Sequence, residues 1–253
     1  SLVPMLEDKF VNKNPSNQNG IDCFPELWSS KFPDEFEVNA GECEVFIDQR
    51  LEWGLSHFCP KNSWDVLELG PLEGGHGYYL EKNTPVRSIT AVEGNRQCWL
   101  RCLITKEITD LKRTRFLLGN FIDYLKENEG MYDLCLAFGV LYHMKNPFEL
   151  IQLLSKASDR VIIWTQLVTS KQQEDWQAIK LKDGEETVIG YINDYGMGVK
   201  LDNFIGGLGH YSVWITKDTL VDSLCNNGFS SVQVGMEGEN KFGNFVTITA
   251  SKK

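Results

Sequence analysis

Two acidic residues and a glycine-rich segment stand where a nucleoside ligand could be bound. Glu68 lies near the end of an apolar run, and residues 70–77 (GPLEGGHG) follow it almost at once. Glycine has no Cβ and tolerates positive φ, so such a segment lets a ligand approach the backbone. Glu93 ends the next apolar run, 23 positions after Gly70 (93 − 70). Its two carboxylate oxygens could accept hydrogen bonds from both hydroxyls of a ribose, which predicts a nucleoside-type cofactor.

The residue at position 72 separates the classes of such cofactors. A dinucleotide fingerprint has glycine there, where the backbone closes on pyrophosphate, whereas this chain has Leu72 after Pro71. The loop therefore keeps its turn but loses much of the phosphate-binding surface. S-adenosylmethionine, which has ribose and adenine but no phosphate, fits this pattern.

These residues need a scaffold that brings strand ends together. From residue 65 the chain alternates short apolar runs with helical patterns, which predicts a parallel sheet with helices on both faces. In such an open sheet, ligands bind at the carboxyl ends of the strands, where strand order reverses. The predicted strands are Asp65–Leu69, Ser88–Glu93, Thr114–Leu118, Tyr132–Phe138 and Arg160–Thr165. The predicted helices are Gly75–Glu81, Asn95–Ile108, Phe121–Glu127 and Pro147–Ala157.

The flanking regions differ in composition from this centre. Residues 1–60 are predicted to form an arm, held by aromatic side chains, and a helix over 42–58, which together cover the active site. Residues 61–253 form the main domain, in which the glycine- and aromatic-rich segment 166–215 is an insertion or lid. The chain then ends in the helix 217–227, the strand 231–235, the turn-rich segment 236–243 and the strand 244–250. We expect an α/β fold: a Rossmann-like, doubly wound, mostly parallel seven-stranded sheet with a C-terminal antiparallel hairpin.

Three segments resemble successive motifs of class I S-adenosylmethionine-dependent methyltransferases: residues 66–70 (VLELG), 91–95 (AVEGN) and 132–144 (YDLCLAFGVLYHM). The resemblance implies that the first loop and Glu68 hold the methionine part of the cofactor, and that Glu93 holds the ribose. The implied cofactor site is Glu68, Gly70, Pro71, Gly74, Glu93, Gly94, Asn120, Phe121, Phe138 and Gly139. In it, residues 120–121 face adenine and residues 138–139 line the floor. Asn120 stands where the family usually has aspartate.

A narrower resemblance concerns residues 139–143 (GVLYH) together with 146–147 (NP). This stretch is similar to the matching part of the tRNA wobble-uridine carboxymethyl-transferring enzymes, which belong to the same superfamily and use a carboxylated cofactor. It implies a tRNA-modifying transferase as an alternative function.

The acceptor side is less well marked in the sequence. Methyl transfer from a sulfonium is an in-line displacement, so a base is needed only where the acceptor must lose a proton. The candidate catalytic residues are Tyr142 and His143 beyond the fourth strand, and His210 and Tyr211 in the insertion. Arg50 is predicted to meet a carboxylate of the cofactor or substrate, or else to form a surface salt bridge. His76 is expected to be a solvated loop residue.

Composition narrows the function classes. The net charge of −10 opposes binding to a phosphate backbone. The seven cysteines are never spaced Cys-x-x-Cys, so we predict no disulfide framework and no metal site, and a reducing cytoplasm. No apolar run reaches the roughly 18 residues of a membrane span. We therefore expect a methyltransferase acting on a small organic acceptor. The alternatives are the tRNA-modifying enzyme, a cofactor-binding module without catalysis and, last, a nicotinamide oxidoreductase.

Overall fold

The computed structural model describes residues 10–196 and 209–252 and has a seven-stranded sheet at its centre. Its strands are β1 (Asp65–Leu69), β2 (Ser88–Glu93), β3 (Thr114–Leu118), β4 (Leu134–Phe138), β5 (Arg160–Leu167), β9 (Ser231–Asn240) and β10 (Gly243–Ser251). Their order across the sheet is β3-β2-β1-β4-β5-β10-β9. The first five pair in parallel, and β10 pairs antiparallel with both β5 and β9. The expected doubly wound sheet with a C-terminal antiparallel hairpin is thus confirmed.

Helices lie on both faces of this sheet. The α-helices of the described residues are α1 (Asn17–Ile21), α2 (Gln49–Ser56), α3 (Gly75–Asn83), α4 (Arg96–Thr109), α5 (Phe121–Glu127), α6 (Pro147–Ala157), α7 (Ser170–Asp175) and α8 (Lys217–Asn226). Successive strand residues point to opposite faces. In β1, Leu67 and Leu69 pack with α5, α6 and α8, whereas Val66 packs with α2 and α3. None of the helices in the described ranges is long and apolar enough to cross a lipid bilayer.

The helix predicted over residues 42–58 is shorter than expected. It begins at Gln49, because the Asp48 side chain accepts a hydrogen bond from the Arg50 backbone N–H and caps the helix. Before it, Cys43 forms an isolated bridge with the arm, because its N–H donates to Ser29 O and its carbonyl accepts from Lys31 N. Those backbone groups are used in pairing, so the helix cannot extend back to residue 42.

The segment 236–243 is mostly strand, not the predicted turn. β9 continues to Asn240 and pairs with β10 as far as Gly243, with a register shift between Val246 and Ile248. Gly235 serves close packing here, because a Cβ at this position would lie 2.4 Å from Cζ2 of Trp53. The absence of a side chain at this strand position therefore lets an aromatic ring pack against the strand.

The insertion after β5 forms a second, three-stranded antiparallel sheet of β6 (Ala178–Asp183), β7 (Glu186–Asp194) and β8 (Tyr211–Trp214), which the sequence analysis did not predict. A hydrogen bond of 2.8 Å from Val213 N to Met144 O joins β8 to the segment after β4. The glycine-rich part of the predicted lid at 206–208 lies outside the described residues.

Glu73 ties the N-terminal arm to the central domain. Its buried carboxylate accepts hydrogen bonds from the backbone N–H groups of Ser29 (2.9 Å) and Ser30 (2.7 Å). Arg101, also buried, donates to it from Nε at 3.1 Å. The arm aromatics Trp28 and Phe32 pack in the same cluster as the α4 and β3 side chains. One carboxylate thus satisfies donors from two parts of the chain.

We expect Glu73→Gln to lower the free energy of unfolding by about 3 kcal/mol, because it leaves the buried Arg101 charge uncompensated. Urea denaturation followed by circular dichroism measures the change. Glu237→Gln, in an exposed pair with Lys217, is the matched control and should have a far smaller effect. Equal effects of the two substitutions would contradict the anchoring role of Glu73.

Candidate active site

The carboxyl ends of the central strands meet where the strand order reverses between β1 and β4. Gly70 N donates to Val92 O and Gly119 N donates to Glu93 O, each at 2.9 Å, so the loops after β1, β2 and β3 leave the sheet side by side. The loop after β4 begins at the same edge, since β4 pairs with β1. This edge brings together the predicted cofactor residues Glu68, Gly70, Pro71, Gly74, Glu93, Gly94, Asn120, Phe121, Phe138 and Gly139.

The loop after β1 keeps a glycine-like backbone at position 72. Leu72 has a φ of +57°, a conformation that costs a residue with a Cβ about 1–2 kcal/mol. Its N–H donates to Glu93 Oε2 at 3.2 Å and is thereby engaged within the protein. Gly70, with a φ of +63°, has no room for a side chain, because a Cβ would lie 2.6 Å from Cγ1 of Val140. The loop therefore packs closely on the segment after β4.

The Glu93 carboxylate is almost buried, with 8% of the residue exposed. Burial raises its pKa, against the opposing effect of hydrogen bonds from the backbone of Asn95, Leu72 and Gly94. Oε1 accepts from Asn95 N at 2.8 Å. A carboxylate offers about four acceptor positions, so Glu93 keeps acceptor capacity for a ligand.

Asn120 is the N-cap of α5. Its Oδ1 accepts a hydrogen bond from Ile122 N at 3.0 Å, and its Nδ2 donates to Asp123 Oδ2 at 3.1 Å. Both ends of the amide are thus used locally. Contact of residues 120–121 with adenine stays a prediction.

His76 is buried, and its assignment as a solvated loop residue is wrong. It lies in the first turn of α3, where Nδ1 contacts Glu68 Oε1 and Nε2 contacts Asp48 Oδ2, both at 2.9 Å. Burial disfavours the imidazolium, but the hydrogen bonds to Asp48 and Glu68 outweigh it and raise the pKa of His76 to about 9. His76 is buried because it lies in the first turn of a packed helix and not in an exposed loop.

Asp48 extends this contact to Arg50. Arg50 donates to the Asp48 carboxylate from Nη2 at 2.6 Å and from Nε at 2.9 Å. Burial raises the pKa of Asp48, yet the hydrogen bonds from His76 and Arg50 outweigh this and hold it well below its usual range. We call Glu68, His76, Asp48 and Arg50 the charge chain. The ion pair between Arg50 and Asp48 differs from the surface salt bridge that was predicted as one alternative for Arg50, since Asp48 is buried.

The charge chain ends against aromatic rings of the sheet. The Arg50 guanidinium carbon lies 4.7 Å from the Trp164 ring centroid and 5.6 Å from that of Phe138. The rings of Phe138 and His76 also meet in a T-shaped arrangement, with centroids 4.7 Å apart. Sequence reasoning missed Asp48. The signal that could have found it is an acidic N-cap two positions before an arginine.

Tyr142 and His143 lie in a 3₁₀ turn (Leu141–His143) directly beyond β4. The Tyr142 ring meets Trp164 and Trp214 edge-on at centroid distances of 6.1 and 5.6 Å. Burial raises the pKa of Tyr142 to about 12 and lowers that of His143 to about 4. At neutral pH the phenol is therefore protonated, and the imidazole is neutral and weakly basic.

Tyr211 begins β8 and His210 directly precedes it, whereas Trp214 at the end of the strand contacts Tyr142. His210 is exposed, and its carbonyl accepts a hydrogen bond from Tyr195 N at 2.9 Å. The Tyr211 ring lies 4.9 Å from Lys145 Nζ. The catalytic roles of His210 and Tyr211 stay predictions. Within the described ranges, no cluster of three His, Cys, Asp or Glu side chains could hold a metal ion.

Solved structures share this fold. The N-terminal domain of EvdMO1, crystallised in the presence of SAH and D-fucose, matches with a TM-score of 0.74 and 17% identity over 94% of this chain and 95% of that domain. A putative S-adenosylmethionine-dependent methyltransferase from Listeria monocytogenes matches with a TM-score of 0.53 and 14% identity, over 81% of this chain and 99% of that one.

A putative O-methyltransferase from Nostoc punctiforme also matches, with a TM-score of 0.53 and 16% identity, over 81% of this chain and 55% of that one. No family model matches the chain, and no curated protein matches its sequence. At these identities the likeness shows the fold, which is that of class I S-adenosylmethionine-dependent methyltransferases. The wobble-uridine resemblance stays a prediction.

We expect two of the four histidines to titrate far from their usual range. His76 should keep its imidazolium up to about pH 9, and His143 should stay neutral down to about pH 4. Proton NMR of the imidazole Cε1–H signals measures both, with His76→Gln and His143→Gln to assign them. A midpoint near 6.5 for His76 would contradict the geometry of the charge chain.

Stability should depend on pH through His76. Its pKa is higher in the folded chain, about 9, than in the unfolded chain, about 6.5, so folding favours the protonated form. This contribution is fully present below pH 6.5 and is lost as the pH rises through 9. We expect the free energy of unfolding to fall across this window by on the order of 1–3 kcal/mol more in the wild type than in His76→Gln. Denaturation curves at pH 6, 7.5 and 9.5 test this.

Proposed function

We propose that this protein is an S-adenosylmethionine-dependent methyltransferase that acts on a small organic acceptor. The observation that carries the proposal is a buried carboxylate oxygen, Oε2 of Glu68, which has no hydrogen-bond partner among the described residues. It lies on β1 at the strand-order reversal of the fold, where ligands of open α/β sheets bind. A cationic group on a ligand would satisfy it.

The residues at this edge fit the cofactor. The free oxygen of Glu68 suits the ammonium of the methionine part, and Glu93 keeps acceptor positions for the ribose hydroxyls. The N–H of Leu72 is engaged by Glu93, so the loop lacks a donor that a pyrophosphate would need. This favours an adenosine cofactor without phosphate over a dinucleotide.

The remaining predicted cofactor residues complete the proposed site. Backbone and ring groups of Asn120 and Phe121 would border the adenine, and Phe138 and Gly139 would form the floor beneath the reacting end. Gly139 lies near the acceptor side, because a Cβ there would be 3.9 Å from the Tyr142 hydroxyl and 3.7 Å from Cζ3 of Trp164. The cofactor floor and the aromatic residues thus adjoin.

Bound at this edge, the cofactor supplies a methyl group activated by a sulfonium. The protein's part is to align the acceptor and exclude water, which can supply much of the acceleration of an in-line displacement. Tyr142, Trp164 and Trp214 offer an aromatic wall for a small organic molecule. The protonated Tyr142 phenol can donate a hydrogen bond to it, while the neutral His143 is a weak base at most.

The arm and the insertion are proposed to shape the acceptor site. Arg50, from residues 1–60, reaches Trp164, and Trp214, from residues 166–215, reaches Tyr142. Both regions therefore contribute to the edge where the acceptor would bind.

The seven cysteines are free, which agrees with the proposed cytoplasmic location.

We expect Glu93→Gln to weaken binding of S-adenosylmethionine and S-adenosylhomocysteine by about 2 kcal/mol, on the order of 30-fold, because it removes charge-assisted hydrogen bonds to the ribose. Isothermal titration calorimetry measures both ligands. Glu129→Gln is the control, since Glu129 is an exposed carboxylate before β4, at the opposite edge of the sheet. Undiminished binding to Glu93→Gln would overturn the assignment of Glu93 to the ribose.

Methyl transfer itself is tested by incubating the protein with S-adenosylmethionine and a panel of small hydroxyl, amine, thiol and carbon acids, and measuring S-adenosylhomocysteine. Turnover with one acceptor class supports the proposal. Binding of the cofactor without turnover on any acceptor would favour a non-catalytic binding module. Salt-sensitive retention of tRNA would instead favour the wobble-uridine alternative.

A further inference from the structure

The two ends of the charge chain carry opposite charges, and each has an unused polar edge. At one end, Glu68 Oε2 is buried and lacks a partner among the described residues. At the other end, Arg50 uses Nε and Nη2 on Asp48, and its Nη1 has no hydrogen bond to the described part of the chain. The Arg50 side chain is 31% exposed, so a ligand can reach that edge.

The two inner members have no such freedom. Both ring nitrogens of His76 are hydrogen-bonded, and both oxygens of Asp48 accept hydrogen bonds. His76 and Asp48 therefore offer nothing to a ligand. What they do is connect Glu68 on β1 with Arg50 on α2 through contacts of 2.6–2.9 Å.

The charge chain contributes little net stability to the fold for the desolvation that it requires. Its charges alternate as −, +, − and + from Glu68 to Arg50, so they balance, but three of the four members are buried. Apolar residues of similar volume often give equal or greater stability than a buried ion pair, because charges must be desolvated. The arrangement is better explained by what its two ends can bind.

The orientation of Arg50 restricts what that ligand can be. Its guanidinium lies over the rings of Trp164 and Phe138, which leaves donors in the guanidinium plane. In-plane guanidinium donors match a carboxylate, and the free oxygen of Glu68 matches an ammonium. An α-amino acid carries both of these charges.

We propose that His76 and Asp48 are positioning residues, which hold Glu68 and Arg50 as one receptor for the zwitterionic α-amino-acid group of the cofactor. The ammonium binds Glu68 and the carboxylate binds Arg50. The inference rests on the proposed function, because S-adenosylmethionine carries this group. It adds that residues without ligand contact set the affinity for it, and that the segment before α2 is part of the cofactor site.

The test compares two ligands that share the adenosine part. S-adenosylhomocysteine carries the α-amino-acid group, and 5′-methylthioadenosine lacks it. By calorimetry, His76→Gln, Asp48→Asn and Arg50→Gln should each lower the affinity for S-adenosylhomocysteine by about tenfold or more, because each breaks a charge-assisted contact. Each should leave 5′-methylthioadenosine within about twofold of the wild type. If these residues had a purely structural role, their substitution would lower the affinity for both ligands alike.

His57→Gln is the matched control, because His57 is an exposed histidine directly after α2. It should change neither affinity. Circular dichroism checks that each variant is folded. If His76→Gln does not fold, Asp48→Asn breaks the same chain on its other side and carries the test.

Equal weakening of the two ligands, or unchanged affinity for S-adenosylhomocysteine, would overturn the positioning role while leaving the proposed function intact. A wild-type protein that binds neither ligand would overturn the proposed function and this inference with it.

Discussion

Burial of His76 between two carboxylates is the contact on which the geometry of the site depends. Glu68 comes from the central strand β1, His76 from the start of α3 and Asp48 from the segment before α2. An imidazolium in the interior is stable only while both partners are ionised and close. The three elements are therefore held in one relative position, and Arg50, on the far side of Asp48, is fixed against the aromatic rings of the sheet.

A second constraint acts at the neighbouring strand. Glu93 accepts hydrogen bonds from the backbone of Leu72 and Asn95, so its carboxylate orders the loops after β1 and β2 at once. The strained φ of Leu72 is tolerated because its N–H has this partner. Two buried carboxylates, Glu68 and Glu93, thus shape one edge of the sheet and keep acceptor capacity there. This combination of local order and unused hydrogen-bonding groups is what a preformed ligand site requires.

The strands and helices of the central sheet could be predicted from the sequence because they depend on local residue patterns. Short apolar runs predicted β1, β2 and β3 with their observed limits, and the helical patterns between them predicted α5 and α6. The wrong predictions concern segments whose structure is set by backbone pairing. The helix at 42–58 is shortened by pairing of Cys43 with the arm, and β9 is lengthened by pairing with β10. The turn at Asp183 and Gly184, which joins β6 to β7, is a local hairpin signal that was missed, whereas β8 pairs with β7 from a more distant part of the chain.

The sequence by itself determined the doubly wound sheet and the placing of Glu68, Gly70 and Glu93 at one edge, because strand period and loop position follow from local order along the chain. Only the tertiary structure decided the state of His76. A histidine after a glycine-rich turn reads as solvated, and its burial, charge and partners arise from Asp48, which lies 28 positions away. Desolvation and ion pairing depend on distances in space, so they become visible only once the chain has folded.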